Sequence, residues 1–195
     1  MTRKYTLGKR AEQQAATRQR IVEAAVDLHG TVGPAQTTVT MVAERAGVQR
    51  HTFYKHFPDE RSLLMACSGL AMARDPLPNA EAWQSLNDRE ALLRRALSEL
   101  YGWYARNAEL TACVTRDAQH HALTREVTEL RMAPTMATYV EVLGSGLGPL
   151  GRAALHLALS FAGWSALVRD AGLAQDDAVT VMIRAVLAAD GTPAP

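Results

Sequence analysis

The chain has 195 residues, of which 48% are hydrophobic and 21% are charged, and its net charge is +1. This composition excludes an intrinsically disordered chain, which would combine low hydrophobicity with high net charge. Residues 1–62 carry 10 Lys and Arg against 6 Asp and Glu, a net charge of +4, which leaves −3 for the rest. The N-terminal part is therefore the better candidate for binding an anion. The length of the chain allows a small domain joined to a larger one.

The cellular setting follows from simple exclusions. Cys67 and Cys113 are too few and too far apart to predict a disulfide framework or a zinc site, which favours a reduced, cytoplasmic setting. The basic N-terminus leads into a polar segment, so no signal peptide is predicted. The longest apolar stretch, residues 153–168, contains His156 and two serines. It is shorter than the ~20 residues that span a bilayer, and we expect no membrane segment.

The first residues form a basic segment. Four of the first ten side chains are Lys or Arg and none is acidic, so residues 1–14 are predicted to be a basic, flexible arm. Such an arm can lie along phosphates or enter a minor groove. A solvated tail is an equally good interpretation.

Helical periodicity follows this segment. Between residues 11 and 28 apolar side chains recur three and four positions apart, which predicts the first helix. His29, Gly30 and the Gly33-Pro34 pair should end it, because Gly costs backbone entropy in a helix and Pro cannot continue one. Arg18 and Arg20 are expected on the exposed face of this helix, with phosphate contact as the alternative.

The segment Thr37–Leu64 contains two short helices joined by a tight turn. An apolar stripe at helical spacing extends from Val39 to Ala46, and Thr38 precedes it where a hydroxyl can cap the free amides. A helix should therefore begin at Val39. Gly47 should leave this helix with a positive φ, the conformation that glycine adopts at helix C-termini.

A second helix is predicted from Arg50 to His56, with Phe53 and Phe57 buried and a face rich in cations and donors. Base edges are read by donors and acceptors, while phosphates bind cations and hydroxyls, so this face suits a major groove. An ordinary helical hairpin is the alternative. The candidate base contacts are Arg50, His51 and Thr52, with Gln49 as an additional candidate, and the candidate phosphate contacts are Thr38, Thr40, Tyr54 and Lys55.

The run AERAGVQRHTFYKHFPDERSLL, residues 43–64, resembles the DNA-binding motif of TetR-family transcriptional regulators. The resemblance extends over residues 15–75. It implies an all-α fold, with a three-helix helix-turn-helix DNA-binding domain over residues 15–75 and a helical effector-binding and dimerisation domain over residues 80–195. It also implies a transcriptional regulator, more often a repressor, that leaves a palindromic operator when a small molecule binds.

Two positions depart from the family pattern. The family commonly has Lys at the position of Glu60, where it helps to bind a phosphate; here the acidic residue is followed by Arg61, which leaves open whether Arg61 makes that contact instead. Gln49 stands where a better capping residue, such as Ser, usually precedes the recognition helix. Asp59, which follows Pro58, can cap the next helix.

The rest of the chain is predicted to be helical as well. The segment Asp75–Asn79 contains two prolines and marks a boundary or a sharp bend. Pro134 should kink a long helix or mark its restart. No strand pattern is evident. The predicted helices cover residues 88–106, 109–118, 124–143, 153–169 and 175–189.

The last two predicted helices are strongly apolar, and large apolar patches on soluble proteins usually mark a contact surface. In TetR-family proteins the corresponding pair forms a four-helix dimer interface. We therefore expect a homodimer through these two helices, whose two recognition helices, one DNA turn or ~34 Å apart, would read a palindrome. The alternative is that the two helices complete the core of a monomer.

The resemblance also implies an effector pocket in the second half of the chain. Such pockets are lined by apolar groups with a few polar ones. Each candidate is equally compatible with a place in the core. The candidate lining residues are Trp103, Tyr104, Cys113, His120, Met132, Met136, Tyr139 and Trp164.

No signature of an enzyme or a metal site is evident. His120 and His121 are adjacent on a predicted helix and point in different directions, so they do not form a site with Cys113. The glycine-rich residues 144–148 lack the preceding strand and the Lys-Ser/Thr of a phosphate loop. We expect no catalytic residue, metal or cofactor. The alternative functions are a constitutive or architectural DNA-binding protein without a ligand switch, and a helical-bundle enzyme.

Overall fold

A computed structural model describes the backbone of residues 2–191 and the side chains of residues 8–191. In this part of the chain all regular structure is helical, which confirms the all-α prediction. Short 3-10 turns cover Pro34–Gln36 and Ala80–Trp83, and a π-helical turn covers Ala166–Asp170. The helices are α1 Thr2–Thr31, α2 Val39–Ala46, α3 Arg50–His56, α4 Glu60–Arg74, α5 Arg89–Arg106, α6 Ala108–Ala118, α7 Ala122–Leu143, α8 Pro149–Leu159, α9 Phe161–Ser165 and α10 Gln175–Ala189.

The chain divides into two compact units. Unit 1 comprises Met1–Pro76 and Ala112–Glu129, and unit 2 comprises Leu77–Thr111 and Leu130–Pro195. Helices α6 and α7 each contribute residues to both units, because unit 1 includes the end of α6 and the beginning of α7.

Unit 1 is built around helix α1, which packs against α2 and α4. Its core also receives the two aromatic side chains that the recognition segment was predicted to bury, Phe53 and Phe57. Ile21 of α1 and Val42 of α2 belong to the same cluster and are fully buried. Burying each large apolar side chain contributes about 1.5–3 kcal/mol, so these contacts fix the short helices that could not be stable alone.

Helix α1 is longer than predicted at both ends. It begins at Thr2, so the backbone of residues 2–14, for which a flexible arm was expected, is helical; the side chains of residues 1–7 lie outside the described residues. At the other end the helix continues to Thr31, and the prediction that His29 and Gly30 end it was wrong. His29 is buried in unit 1, and the helix continues through Gly30 although a helical glycine costs ~1 kcal/mol. The chain leaves the helix at Gly33, whose φ is 97°.

Unit 2 is organised around α5, whose apolar face is fully buried, and α10 packs against both α5 and α8. Helix α5 starts as its sequence predicts, because the Asp88 side chain accepts a hydrogen bond from the Ala91 N–H at 2.7 Å. Helix α7 continues without interruption through Pro134, so no restart occurs there. Within residues 2–191, no helix combines the length and hydropathy needed to cross a bilayer.

The predicted helix over residues 153–169 is instead two helices and a π-helical turn. Helix α8 begins earlier, with Pro149 in its first turn, where a missing N–H costs nothing. The helix then breaks at Ser160, whose hydroxyl accepts a hydrogen bond from the Gly163 N–H at 3.0 Å and caps α9. A serine that caps a new helix competes with continuation of the old one, and an apolar pattern alone does not reveal this competition.

Candidate nucleic-acid interface

Helices α2 and α3 form a helix-turn-helix. Helix α2 begins after Thr38, whose Oγ1 accepts a hydrogen bond from the Met41 N–H at 3.2 Å. Gly47 follows the helix with φ 64° and ψ 41°, in the left-handed region. Helix α3 begins after Gln49, whose side chain makes no capping hydrogen bond. The predicted helix starts and the glycine turn are therefore confirmed.

The recognition helix α3 is attached to unit 1 by its aromatic side. Phe53 and Phe57 are 2% and 1% exposed, and their ring centroids are 6.0 Å apart. Tyr54 packs edge-on against Phe53 at 5.5 Å while remaining 47% exposed, so its hydroxyl-bearing end is accessible. The Arg18 guanidinium lies 4.8 Å from the centre of the Phe57 ring. The buried aromatic side leaves the opposite side of α3 toward solvent.

The eight candidate DNA contacts lie on α3, on its N-cap and at the start of α2. Thr52 is half-buried, and its Oγ1 lies 3.3 Å from His51 Nε2. The hydroxyl of Thr38 keeps a hydrogen to donate, because the cap uses it as an acceptor. The exposed candidates are Thr38, Thr40, Gln49, Arg50, His51, Tyr54 and Lys55.

The cations of unit 1 fall into two groups. Arg45 pairs with Asp27 at 3.1 Å and Arg74 pairs with Glu23 at 2.9 Å, so protein carboxylates occupy these guanidinium groups. Within residues 8–191, Arg50 and Lys55 have no such ion-pair partner. Their charge is therefore available to an external anion.

The start of α4 contains one departure from the family pattern, the acidic Glu60 followed by Arg61. Asp59 caps the helix as predicted, accepting a hydrogen bond from the Ser62 N–H at 2.7 Å, and this backbone hydrogen bond lowers the pKa of its carboxyl. Arg61 donates from Nε and Nη2 to Glu126 of α7 at 3.1 and 2.8 Å. Glu60 lies 3.4 Å from His121 Nε2. Glu60 therefore contacts the residue just before α7, and Arg61 contacts a residue within α7; both contacts lie in unit 1.

The predicted effector-lining residues do not all belong to one unit. Cys113 and His120 lie in unit 1, where the Cys113 thiol approaches the Gly30 carbonyl oxygen at 3.8 Å and His120 is exposed. The other six lie in unit 2. Among them, Tyr139 packs on Trp83 with ring centroids 4.8 Å apart. The half-buried members are Met132 and Met136.

Trp103, Tyr104 and Trp164 form an aromatic cluster in unit 2 together with Phe161. Tyr104 lies 5.7, 5.4 and 5.9 Å from the ring centroids of Trp103, Phe161 and Trp164 respectively. The Tyr104 hydroxyl donates to the Leu159 carbonyl oxygen at 2.7 Å. The buried Trp164 Nε1 has no hydrogen-bond partner among the described residues. Sequence reasoning did not find this unpaired donor, since hydrogen bonding in the core has no sequence signature.

Among the described residues, no group of three or more His, Cys, Asp and Glu side chains is arranged to bind a metal ion. Cys67 and Cys113 are both buried and neither forms a disulfide.

Comparison with known proteins locates one family on the chain. Residues 21–67 match the family model described as "Bacterial regulatory proteins, tetR family". This range contains all of α2 and α3, the last part of α1 and the first half of α4. A sequence search of curated proteins found no significant match.

Solved structures resemble the chain over most of its length. The fatty acid degradation regulator FadR from Bacillus halodurans has a TM-score of 0.63 at 20% identity, covering 88% of this chain and 94% of that one. FadR from Bacillus subtilis in complex with stearoyl-CoA has a TM-score of 0.61 at 16% identity, covering 88% of this chain and 98% of that one. A TetR-like transcriptional regulator from Rhodococcus sp. RHA1 has a TM-score of 0.60 at 20% identity, covering 87% of this chain and 93% of that one. At these identities the similarity concerns the fold.

Proposed function

We propose that this chain, a TetR-family transcriptional regulator, binds a specific DNA operator through α2 and α3. The observation that carries the proposal is the recognition helix: buried Phe53 and Phe57 attach it to unit 1, and Arg50 and Lys55 have no ion-pair partner among residues 8–191. Its first residues would contact base edges, since the N-terminal part of a recognition helix enters the major groove. Lys55, near its end, would contact a phosphate.

The roles differ among the candidate residues. Arg50, His51 and Thr52, with Gln49 beside them, are proposed to contact bases. The hydroxyls and the cation at the margin of this surface are proposed to contact phosphates, which orient the protein without reading sequence. The proposed phosphate contacts are Thr38, Thr40, Tyr54 and Lys55.

We propose a homodimer that forms through α8 and α10. Leu150 and Leu157 of α8 are 71% and 54% exposed, and Val181 of α10 is 43% exposed. The inner sides of the same helices are buried in the core of unit 2, so completing the core of a monomer does not account for these outward side chains. A two-fold dimer would bring two copies of α3 to a palindromic operator.

We further propose that the chain is a repressor whose operator affinity falls when a small apolar effector binds in the helical domain over residues 80–195. The unpaired, buried Trp164 N–H beside the aromatic cluster supports this proposal. An unsatisfied buried donor is costly and would be satisfied by an acceptor on a ligand. The effector can change DNA binding only through a difference in its affinity for the two states.

The two alternatives have less support. A constitutive DNA-binding protein would have the same α3 surface but would offer no role for the unpaired Trp164 donor. A helical-bundle enzyme would need titratable groups that converge beside the aromatic cluster, whereas the buried His29 and Asp117 lie in unit 1.

A bacterial regulator of this kind would act in the cytoplasm, where the DNA is.

Selection of bound duplexes from a random DNA pool tests the proposed function. The full-length chain should enrich a palindromic sequence with half-sites about one helical turn, ~34 Å, apart. A variant carrying Arg50→Ala and Lys55→Ala should enrich no sequence, while Arg74→Ala, in which a cation already paired with Glu23 is lost, serves as the control. Failure of the unaltered chain to enrich any duplex at low salt would reject the proposal.

A further inference from the structure

The helix-turn-helix is attached at both of its ends to one short stretch of the chain, residues 116–126, which we call the α6–α7 corner. The corner and the helix-turn-helix both belong to unit 1. One attachment lies just before α2 and the other lies just after α3, at the first turn of α4. The helix-turn-helix is therefore bonded to the α6–α7 corner both before α2 and after α3.

The first attachment holds the turn before α2. Asp117, which is 1% exposed, accepts a hydrogen bond from the Ala35 N–H at 2.9 Å and another from Arg116 Nε at 2.8 Å. Arg116 Nη2 donates in turn to the Val32 carbonyl oxygen at 2.9 Å. Between these points Gly33 has φ 97°, and a Cβ there would lie 2.3 Å from Arg116 Nη2 and 2.4 Å from Asp117 Oδ2. Only glycine allows the turn to approach the corner this closely.

The Asp117 carboxyl is charged in this position. Burial by itself would raise the pKa of this carboxyl. The hydrogen bonds from Arg116 and from the Ala35 N–H, together with the charge of Arg116, outweigh that effect, so the pKa is lowered. The bond to the Ala35 amide is therefore charge-assisted, the stronger class of hydrogen bond. The same carboxylate joins α6 to the turn from which α2 starts.

The second attachment holds the first turn of α4. Arg61 donates twice to Glu126 Oε1, and Glu60 lies 3.4 Å from His121 Nε2. The other ring nitrogen of His121 lies 2.7 Å from Thr124 Oγ1, which orients the imidazole. Two oppositely charged neighbours on α4 thus contact His121, just before α7, and Glu126, in the second turn of α7.

We infer that the α6–α7 corner positions the recognition helix, and that Arg61 acts on DNA binding through Glu126 rather than by contacting a phosphate. The inference rests on the proposed function. Fixing the helix-turn-helix segment before α2 and after α3 lowers the conformational freedom that it would otherwise lose on binding, which favours the specific complex.

A charge exchange between Arg61 and Glu126 tests the inference. The full-length chain, Arg61→Glu, Glu126→Arg and the double variant are compared for their affinity for the selected operator and for a random duplex, over a range of salt concentrations. Each single variant should lower the ratio of specific to random affinity by about fivefold, the upper range for an exposed pair. The double variant should recover most of that ratio, because the ion pair is restored in reverse.

The opposite pattern would overturn the inference. If Arg61 contacted a phosphate directly, Arg61→Glu would weaken binding to both duplexes and reduce the salt dependence. Glu126→Arg would then leave binding unchanged or strengthen it, and the double variant would not recover. Single variants with unaltered specificity would also reject the inference. A wild-type chain that binds no duplex would reject the proposed function instead.

A control charge exchange and two substitutions of Asp117 complete the design. The Arg169–Glu109 pair in unit 2 has the same chemistry, with N and O atoms 2.9 Å apart, and its charge exchange is the matched control, with unchanged specificity expected. Asp117→Asn keeps the shape of the side chain but removes its charge. It should lower the specificity ratio by about tenfold, while Asp117→Glu, which restores the carboxylate, should recover part of it. Thermal melting of each variant reports whether the fold is intact.

Discussion

The guanidinium of Arg18 lies over the ring of Phe57, 4.8 Å from its centre, and so connects α1 to the residue that ends the recognition helix. Phe57 is 1% exposed, whereas Arg18 is exposed. A cation over an aromatic face contributes about 0.5–1 kcal/mol at an exposed site. Arg18 therefore has a packing role that its position on an exposed helix face did not indicate.

Replacing Arg18 by Gln should lower the free energy of unfolding by about 0.5–1 kcal/mol, because the cation is lost from the Phe57 ring. Urea unfolding measures the change. Arg20→Gln removes an exposed cation from the same helix and should have no comparable effect. Equal losses in the two variants would show that general charge, rather than the ring contact, is responsible.

Arg50→Ala and Lys55→Ala should weaken DNA binding in different ways. Loss of a base contact at Arg50 should cost about 1–3 kcal/mol and relax the preference at one operator position. Loss of a phosphate contact at Lys55 should weaken all sequences similarly and reduce the salt slope by about one. Binding titrations at several salt concentrations separate the two effects. An unaltered salt slope for Lys55→Ala would remove Lys55 from the phosphate contacts.

The buried His29 should make unit 1 sensitive to acid. Burial lowers its pKa from 6.5 to about 4, against the opposing charge of Asp117, and its Nδ1 lies 3.3 Å from the Cys67 thiol. Between pH 6.5 and 4 the unfolded chain binds a proton that the folded chain does not. This group's contribution is thus complete above pH 6.5 and falls by about 3 kcal/mol as the pH drops to 4.

Unfolding of wild type and His29→Gln across this pH range measures that contribution. The variant should lack this part of the pH dependence, whatever its stability at neutral pH. The exposed His156 provides the matched control, and His156→Gln should retain the wild-type curve. If the free energy of unfolding depended on pH in the same way in wild type and in His29→Gln, the prediction would be wrong.

The dimer interface can be tested with two equally exposed leucines. Leu157 of α8 is 54% exposed and Leu130 of α7 is 53% exposed. Leu157→Arg should place an unpaired charge in the proposed interface and produce monomers, because burying it without a partner is costly. Leu130→Arg should leave the dimer intact. Sedimentation at several protein concentrations measures the outcome, and a dimer of unchanged strength in Leu157→Arg would exclude α8.

Trp164 and Trp83 should respond differently to replacement by Phe. Trp83 Nε1 donates to Glu99 at 2.8 Å, so Trp83→Phe should lose a hydrogen bond to a charged group and destabilise the chain by about 1.5–3 kcal/mol. Trp164→Phe removes a donor that has no partner among the described residues, and should cost clearly less. Chemical unfolding measures both. Equal losses of unfolding free energy in the two variants would show that the hydrogen bonding of the indole N–H does not distinguish Trp164 from Trp83.

The local features of unit 1 were predictable from a few neighbouring residues. Thr38, Gly47 and Asp59 each act through hydrogen bonds or dihedral angles within one turn, and each predicted helix boundary beside them is confirmed. The prediction for residues 153–169 was wrong because an apolar pattern is the same for one helix or two. The capping hydrogen bond of Ser160 decides between them.

The amino-acid sequence alone therefore determined the helical class, the helix-turn-helix and the side of α3 that is buried, because periodicity, capping and glycine conformation are local properties. Only the tertiary structure decided that Arg18 contacts Phe57 and that Asp117 binds the Ala35 amide, 82 residues away in the chain. Such contacts depend on how several helices pack together. Nothing in the spacing of neighbouring residues encodes which distant side chain will meet a given turn.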